Sequence, residues 1–159
     1  MTAAMLTADI VVNADCWRAE PAAEDVVRRA ILAAASETPS RSARGDLAVV
    51  LTDDAGIRVL NRDWRGIDEP TNVLSFPAVR WPGRSEGPHA LGDIAIAYET
   101  ARREAAAESK PFNHHLSHLA IHGFLHLIGY DHQTDDEAEA MEGLERHVLA
   151  GLGIPDPYE

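Results

Sequence analysis

Three histidines in one stretch of the chain have the type and spacing of metal ligands. His122 and His126 lie four residues apart, so a helix over residues 112–128 would place both imidazoles on one face. Gly129 is suited to end that helix, and the turn after it can bring His132 back to the same point. Three neutral nitrogen ligands with a fourth position open are typical of catalytic zinc. The pattern therefore predicts a metalloenzyme.

The residue after the first histidine bears on whether this metalloenzyme is a peptidase. The same spacing opens the signature of the metzincin proteases, in which a glutamate follows the first histidine and acts as general base. Gly123 occupies that position here. Because glycine carries no proton acceptor, a metallopeptidase of this type would lack its base. A histidine-rich helix packed into a core, with no metal, is the structural alternative.

The composition predicts one domain, spanning residues 1–159, since the chain is 159 residues long and 45% hydrophobic. The single cysteine, Cys16, cannot form an intramolecular disulfide, and the first twelve residues contain no basic region followed by a long apolar run. Both features indicate a cytoplasmic protein. No stretch approaches the ~18 apolar residues of a membrane span, so we expect no membrane partner.

The net charge of −12 argues against a general affinity for nucleic acid. The charge is unevenly distributed, however. Seven acids fall between Asp131 and Glu145, whereas seven arginines fall between Arg41 and Arg84, among six acids. A basic patch is permitted in that second segment, so overall charge does not decide the partner.

Strand and helix signals alternate on either side of the histidine helix. Strands are predicted at 9–12, 47–51, 73–76 and 94–97, and helices at 21–35, 100–109 and 112–128. Between Trp81 and Gly92 the chain is rich in glycine and proline, which predicts an exposed loop.

Two further helices have recognisable starts. Asp53 predicts a helix whose inward face is Ile57, Leu60 and Trp64. Thr134 and Glu137 fit a capping box that begins a final helix reaching about residue 149.

Three other histidines lie on the helix that carries the first two ligands. His114 and His115 are expected at the surface. His118 lies one turn before His122, so it is expected to support a ligand from behind or to touch substrate, unless it is merely solvated.

Three motifs occur in one order along the chain: Leu60 to Pro77, Leu91 to Ile94, and His122 to His132. Together they resemble the YbeY family of bacterial endoribonucleases and rRNA maturation factors. The similarity extends from about Leu47 to the C-terminus. It implies an α+β fold, a small mixed β-sheet with packed helices. It also implies one zinc ion per chain, held by His122, His126 and His132.

The resemblance also implies a function. The implied function is zinc-dependent endonucleolytic cleavage of single-stranded RNA, in the processing of the 3′ end of 16S rRNA and in ribosome quality control. The implied partners are RNA, in the form of an rRNA precursor, and the small ribosomal subunit. Ribosomal proteins or an assembly GTPase would recruit the enzyme.

Arg65 falls on the functionally important arginine of that family, which makes it the predicted catalytic residue. A guanidinium can bind a phosphate through two parallel hydrogen bonds, as lysine cannot. A metal can stabilise charge on the phosphate and lower the pKa of bound water towards ~7, so this chemistry needs no glutamate at position 123. From the residues alone, Arg65 could equally contact the last carbonyls of its own helix.

Two more side chains are candidate site residues, and each also has a purely structural explanation. Asp131 could orient His132 or another ligand from behind, or it could only shape the turn. Ser75 could reach a phosphate, although a serine on a strand usually faces solvent.

Two other functions compete with the nuclease. The first is a noncatalytic ribosome assembly factor, whose structural zinc would be closed by a fourth ligand such as His118. The second is a metallopeptidase, which Gly123 disfavours.

Overall fold

The structure is a computed structural model, and it describes residues 6–38, 45–78 and 90–158. Most of the loop predicted from Trp81 to Gly92 lies outside these residues. A short 3₁₀ helix, Asp15–Ala19, was not predicted from the sequence. The strands are β1 (Leu6–Val12), β2 (Gly45–Thr52), β3 (Val73–Pro77) and β4 (Ala90–Ala97). The α-helices are α1 (Ala23–Ser36), α2 (Asp54–Arg65), α3 (Tyr98–Ala107), α4 (Phe112–Leu127) and α5 (Asp135–Gly151).

The described strands form one mixed sheet in the order β1-β2-β4-β3. β1, β2 and β4 run parallel, and β3 pairs antiparallel with β4 at the edge. Parallel neighbours require a crossover, and α1 supplies it between β1 and β2. The arrangement confirms the predicted single α+β domain with a small mixed sheet.

α4 is the central helix of the domain. It packs against α1, α3 and α5 and against strands β3 and β4. Its apolar side chains are buried, and those of Leu116, Ile121, Phe124 and Leu125 are fully so. Burial on several sides explains why α4 is apolar nearly all round, apart from a stripe of histidines. That stripe is held rigidly by the main core of the protein.

α2 covers the opposite face of the sheet. Ile57 of α2 packs there against Ala95 and Ala97 of β4, while Ile94 and Ile96 point into the main core. β4 is thus buried on both faces, which accounts for its continuous apolar run.

The end of α2 departs from the sequence prediction. Trp64 was predicted to face inward, and this is wrong, because its side chain is 71% exposed. Its ring lies edge-on to Phe76 of the edge strand β3, at 6.3 Å between centroids. The apolar contact of α2 is already made by Ile57 and Leu60.

Both predicted helix starts are confirmed. The Asp53 carboxylate accepts a hydrogen bond from the Gly56 amide at 2.8 Å and so begins α2. Thr134 and Glu137 form the reciprocal capping box that begins α5. In the described ranges, none of the helices is both long and apolar enough to cross a bilayer.

Candidate functional site

The turn after α4 has a defined geometry that places the third histidine. Gly129 has a φ of +110°, which an L side chain rarely adopts. Its amide donates to the His126 carbonyl at 3.1 Å, and the Tyr130 amide donates to the Leu125 carbonyl at 2.9 Å. These two bonds are the Schellman pattern of a helix end. The chain reverses within a few residues, and His132 returns towards α4.

His122, His126 and His132 converge at this turn. One ring nitrogen from each lies within 4.8 Å of those of the other two. The ring centroids are 4.6, 4.9 and 5.7 Å apart. Among the residues that the structure describes, no fourth histidine, cysteine or carboxylate joins the group. Three nitrogens of this kind could hold a metal ion and leave one position open.

Hydrogen bonds determine which nitrogens of two of these rings carry a proton. Nδ1 of His122 lies 2.8 Å from a Glu145 carboxylate oxygen, and Nδ1 of His126 lies 2.9 Å from the Tyr130 carbonyl oxygen. A carbonyl or an ionised carboxylate only accepts, so each Nδ1 is the donor and carries the hydrogen. In a neutral imidazole, the lone pair is then on Nε2.

The two Nε2 atoms face each other at 3.1 Å. Two lone pairs at this distance repel unless a proton or a metal ion lies between them. Two nitrogen ligands of a tetrahedral zinc, each at about 2.05 Å from the ion, are separated by about 3.3 Å. The donor chemistry and the spacing of these residues therefore fit a zinc-like ion.

The surroundings keep His126 neutral. Burial lowers the pKa of His126, and the neighbouring His122 lowers it further, against an opposing hydrogen bond to the Tyr130 carbonyl. The ring nitrogen therefore remains available to a metal at neutral pH, since only the neutral ring can ligate.

Arg65 lines the same cleft as the three histidines. Its Nη2 donates to the Ser75 carbonyl of β3 at 2.5 Å, and its guanidinium lies 5.3 Å from the centre of the Phe76 ring. The carbonyls near the end of α2 are bonded instead by the Gly66 and Ile67 amides. Arg65 therefore faces the cleft rather than capping its own helix.

The other candidate side chains have structural partners. Ser75 lines the cleft, but its hydroxyl donates to the Gly123 carbonyl at 2.7 Å. The Asp131 carboxylate accepts from the backbone amide of His132 at 2.8 Å and so shapes the turn. His118 lies outside the group of three, with Nε2 3.3 Å from Glu145.

The absence of a glutamate after the first histidine has a packing reason. Gly123 lies against the sheet, and a Cβ at this position would come within 2.9 Å of an Ile94 methyl and 3.1 Å of a Val73 methyl. A Cβ within 3.0 Å of another heavy atom requires the neighbouring side chain or the backbone to shift. Close approach of α4 to β3 and β4 therefore depends on glycine.

One residue of this region was predicted wrongly from the sequence, and another was assigned no role. Glu145, counted only as one of the seven acids between Asp131 and Glu145, is fully buried beside His122. His115, predicted at the surface, is also buried, with Nε2 2.9 Å from Glu104. A signal existed for Glu145: it lies four residues after Met141 and four before Leu149, on the apolar face of α5.

Comparisons with known proteins give a consistent result. The family model described as Endoribonuclease YbeY matches residues 12–153. A Bradyrhizobium protein named Endoribonuclease YbeY is 62% identical over 96% of this chain and 92% of its own length. A protein of the same name from Nitrobacter winogradskyi is 64% identical over 94% of this chain and 80% of its own length.

A solved structure agrees with the fold. The solution structure of a Thermotoga maritima protein covers 96% of this chain and 99% of its own length, with a TM-score of 0.56 and 22% sequence identity. At that identity the likeness concerns the fold alone. The match of the family model and the identity of the relatives, over nearly the whole chain, show that the chain belongs to the YbeY family.

Proposed function

We propose that the protein is a zinc-dependent endoribonuclease that cuts single-stranded RNA. The observation that carries the proposal is the pair of Nε2 atoms of His122 and His126, 3.1 Å apart, with His132 beside them and Arg65 lining the same cleft. The name shared by the relatives, Endoribonuclease YbeY, supports RNA as the substrate.

The histidines would hold the ion, one per chain, through Nε2 of His122, Nε2 of His126 and a ring nitrogen of His132. When bound, the ion would stabilise negative charge on a phosphate and lower the pKa of bound water. The protein's own part is to hold the rings. Glu145 and the Tyr130 carbonyl fix the orientations of His122 and His126 from behind.

Arg65 would bind the scissile phosphate. Its bond to the Ser75 carbonyl uses one N–H and fixes the side chain beside the cleft, which leaves other N–H groups for phosphate oxygens. A guanidinium placed in advance where charge develops stabilises the transition state without reorganising. Arg65 is therefore the proposed catalytic residue.

The surface next to Arg65 supports an unpaired substrate. Trp64 is 71% exposed, an unusual state for tryptophan, and its ring lies against Phe76. Exposed aromatic rings beside a cationic groove are typical of proteins that stack the bases of single strands. A base next to the cut phosphate could stack on Trp64.

The proposal extends to the biological role implied by the family resemblance. The substrate would be precursor rRNA on the small ribosomal subunit, cut at the 3′ end of 16S rRNA, with a further role in ribosome quality control. The enzyme would work in the cytoplasm, recruited by ribosomal proteins or by an assembly GTPase.

The two competing functions find less support in the site. A metallopeptidase needs a carboxylate beside the open position. Gly123 is packed against the sheet, and Glu145 contacts Nδ1 of His122, on the side away from the other ligands. A closed structural site would need His118 as a fourth ligand, but His118 lies against Glu145 and Tyr158.

The test is cleavage of a single-stranded RNA, its duplex and an rRNA precursor, with metal content measured in the same preparations. We expect about one zinc per chain and cleavage of the unpaired RNA by the wild type. His126→Ala should lose both metal and cleavage. Arg65→Ala should keep the metal and lose about 10²- to 10³-fold in kcat/KM, the usual effect of removing one charge-stabilising donor.

Arg62→Ala is the matched control, since Arg62 is an exposed arginine one turn earlier on α2, paired with Asp63. It should cut like the wild type. Arg65→Lys should recover only part of the activity, because lysine keeps the charge without the paired donors. Equal cleavage by wild type, His126→Ala and Arg65→Ala would identify a contaminant and would favour the noncatalytic assembly factor.

A further inference from the structure

Glu145 is a carboxylate in the core of the protein. Its side chain is fully buried, on the face of α5 that also carries Met141 and Leu149. An ionised carboxylate in such surroundings is strongly unfavourable unless it is hydrogen-bonded to donors. Glu145 therefore needs partners, and their identity indicates what it does.

Three donors surround this carboxylate. Oε2 lies 2.8 Å from Nδ1 of His122 and 3.3 Å from Nε2 of His118. Oε1 accepts a hydrogen bond from the Tyr158 hydroxyl. Burial alone would raise the pKa of Glu145, but the hydrogen bonds from His118, His122 and Tyr158 outweigh it and lower the pKa to about 2. Glu145 is thus an anion held by three side chains.

The same atoms of His118, His122 and Glu145 are close enough to hold an ion of their own. Hydrogen bonding describes them better. Each carboxylate oxygen already faces a donor, and Tyr158 takes the second oxygen. A second ion on Nδ1 would also require His122 to lose both ring protons, because its Nε2 is directed at His126.

We propose that Glu145, itself held by Tyr158, is the positioning residue for His122, and that it sets the affinity of the metal site. By accepting from Nδ1, it fixes the tautomer with the lone pair on Nε2 and orients that nitrogen towards His126. The inference rests on the proposed metal-dependent function. It transfers to Glu145 the orienting role that the sequence suggested for Asp131, whose carboxylate accepts a hydrogen bond from the backbone amide of His132.

The first measurement is the metal dissociation constant, obtained by competition with a chromophoric chelator. Loss of a carboxylate behind a ligating histidine typically weakens binding about 10- to 100-fold. We expect that loss for Glu145→Met, which fills the apolar surroundings without an acceptor. Glu145→Gln keeps an acceptor and loses the charge, so its affinity for the metal should fall less than that of Glu145→Met. The affinity of Tyr158→Phe should fall least.

Glu139→Gln is the matched control, because Glu139 is an exposed carboxylate earlier on the same helix. It should bind metal like the wild type. The second measurement is an NMR spectrum of the imidazole nitrogens in the metal-free protein. The Nδ1–H form of His122 should be present in the wild type and in Glu145→Gln, and should be lost to a mixture of tautomers in Glu145→Met.

Two results would overturn the inference. One is a Glu145→Met protein with wild-type affinity and an unchanged His122 tautomer. The other is a stoichiometry that falls from two ions to one in this variant, which would make Glu145 a ligand. If the wild type binds no metal, the proposed function fails, and the tautomer of His122 in the metal-free proteins still decides whether Glu145 positions that ring.

Discussion

Replacing Gly123 by alanine tests whether α4 must approach the sheet as closely as it does. The added Cβ would lie 2.9 Å from Cγ2 of Ile94 and 3.1 Å from Cγ2 of Val73. Both methyls branch from a Cβ close to the strand backbone, so neither can move far without its strand. The substitution should therefore push α4 away from β3 and β4.

The size of the effect follows from two opposing contributions. Alanine is favoured over glycine inside a helix by up to about 1 kcal/mol. Overpacking a well-filled interior costs about 1 to 3 kcal/mol. Gly143→Ala is the matched control: Gly143 lies within α5, and a Cβ there would meet nothing within 4 Å. The helix preference cancels between the two variants, which leaves a difference of about 1 to 3 kcal/mol from overpacking.

Urea denaturation of both variants measures this difference directly. Gly143→Ala should be more stable than the wild type, and Gly123→Ala less stable than Gly143→Ala. In thermal unfolding, each kcal/mol corresponds to a shift of roughly 2 to 4 °C for a chain of this size. Gly123→Ala should also bind metal more weakly, since His122 and His126 move with α4. Equal stability of the two alanine variants would refute the packing argument.

Three further outcomes are expected. Adding zinc at 100 times its dissociation constant to chelator-treated protein should stabilise the folded state by about 2.7 kcal/mol, measured by calorimetry. An unchanged midpoint of thermal unfolding would contradict a metal site that exists only in the folded state. Asp54→Asn should cost about 1 kcal/mol at pH 7. Burial acts to raise the pKa of Asp54, but hydrogen bonds from Thr100 and Arg103 hold it below its ordinary 3.8. The stability that the ionised Asp54 gains from these hydrogen bonds is therefore complete above pH 3.8. The denaturant midpoints of the wild type and of Asp54→Asn should converge as the pH falls below that value. Thr134→Ala should cost about 1 kcal/mol by removing a helix cap, whereas Glu137→Gln, which keeps the reciprocal bond, should cost less.

The part of the site that could be predicted depends on local geometry. The spacing of His122 and His126 on one helix face, and the helix end at Gly129, follow from the period of an α-helix and from the freedom of glycine. The helix was predicted at 112–128 and occupies Phe112–Leu127. The starts of α2 and α5 were equally local, because a capping side chain bonds an amide only two or three residues away.

What could not be predicted depends on contacts between distant segments. The placement of β4 between β2 and β3 is set by burial on both faces of β4. The bond of Ser75 to Gly123 joins residues 48 positions apart. Glu145 and His115 each lie beside a partner on another helix, which a sequence does not reveal. Trp64 lies at the right helical period to face inward, but it is largely exposed and lies next to Phe76 of the edge strand β3.

The nitrogen atoms of the three converging histidines also have a consequence for the metal that this group would select. His122, His126 and His132 offer nitrogen alone, and among the described residues no carboxylate joins them. Magnesium and calcium prefer oxygen ligands, so neither should compete for this site even at millimolar concentration. Among the first-row transition metals, nitrogen sites bind copper more tightly than zinc and bind manganese least. An ion bound there should therefore reflect the supply of zinc and copper in the cell that made the protein.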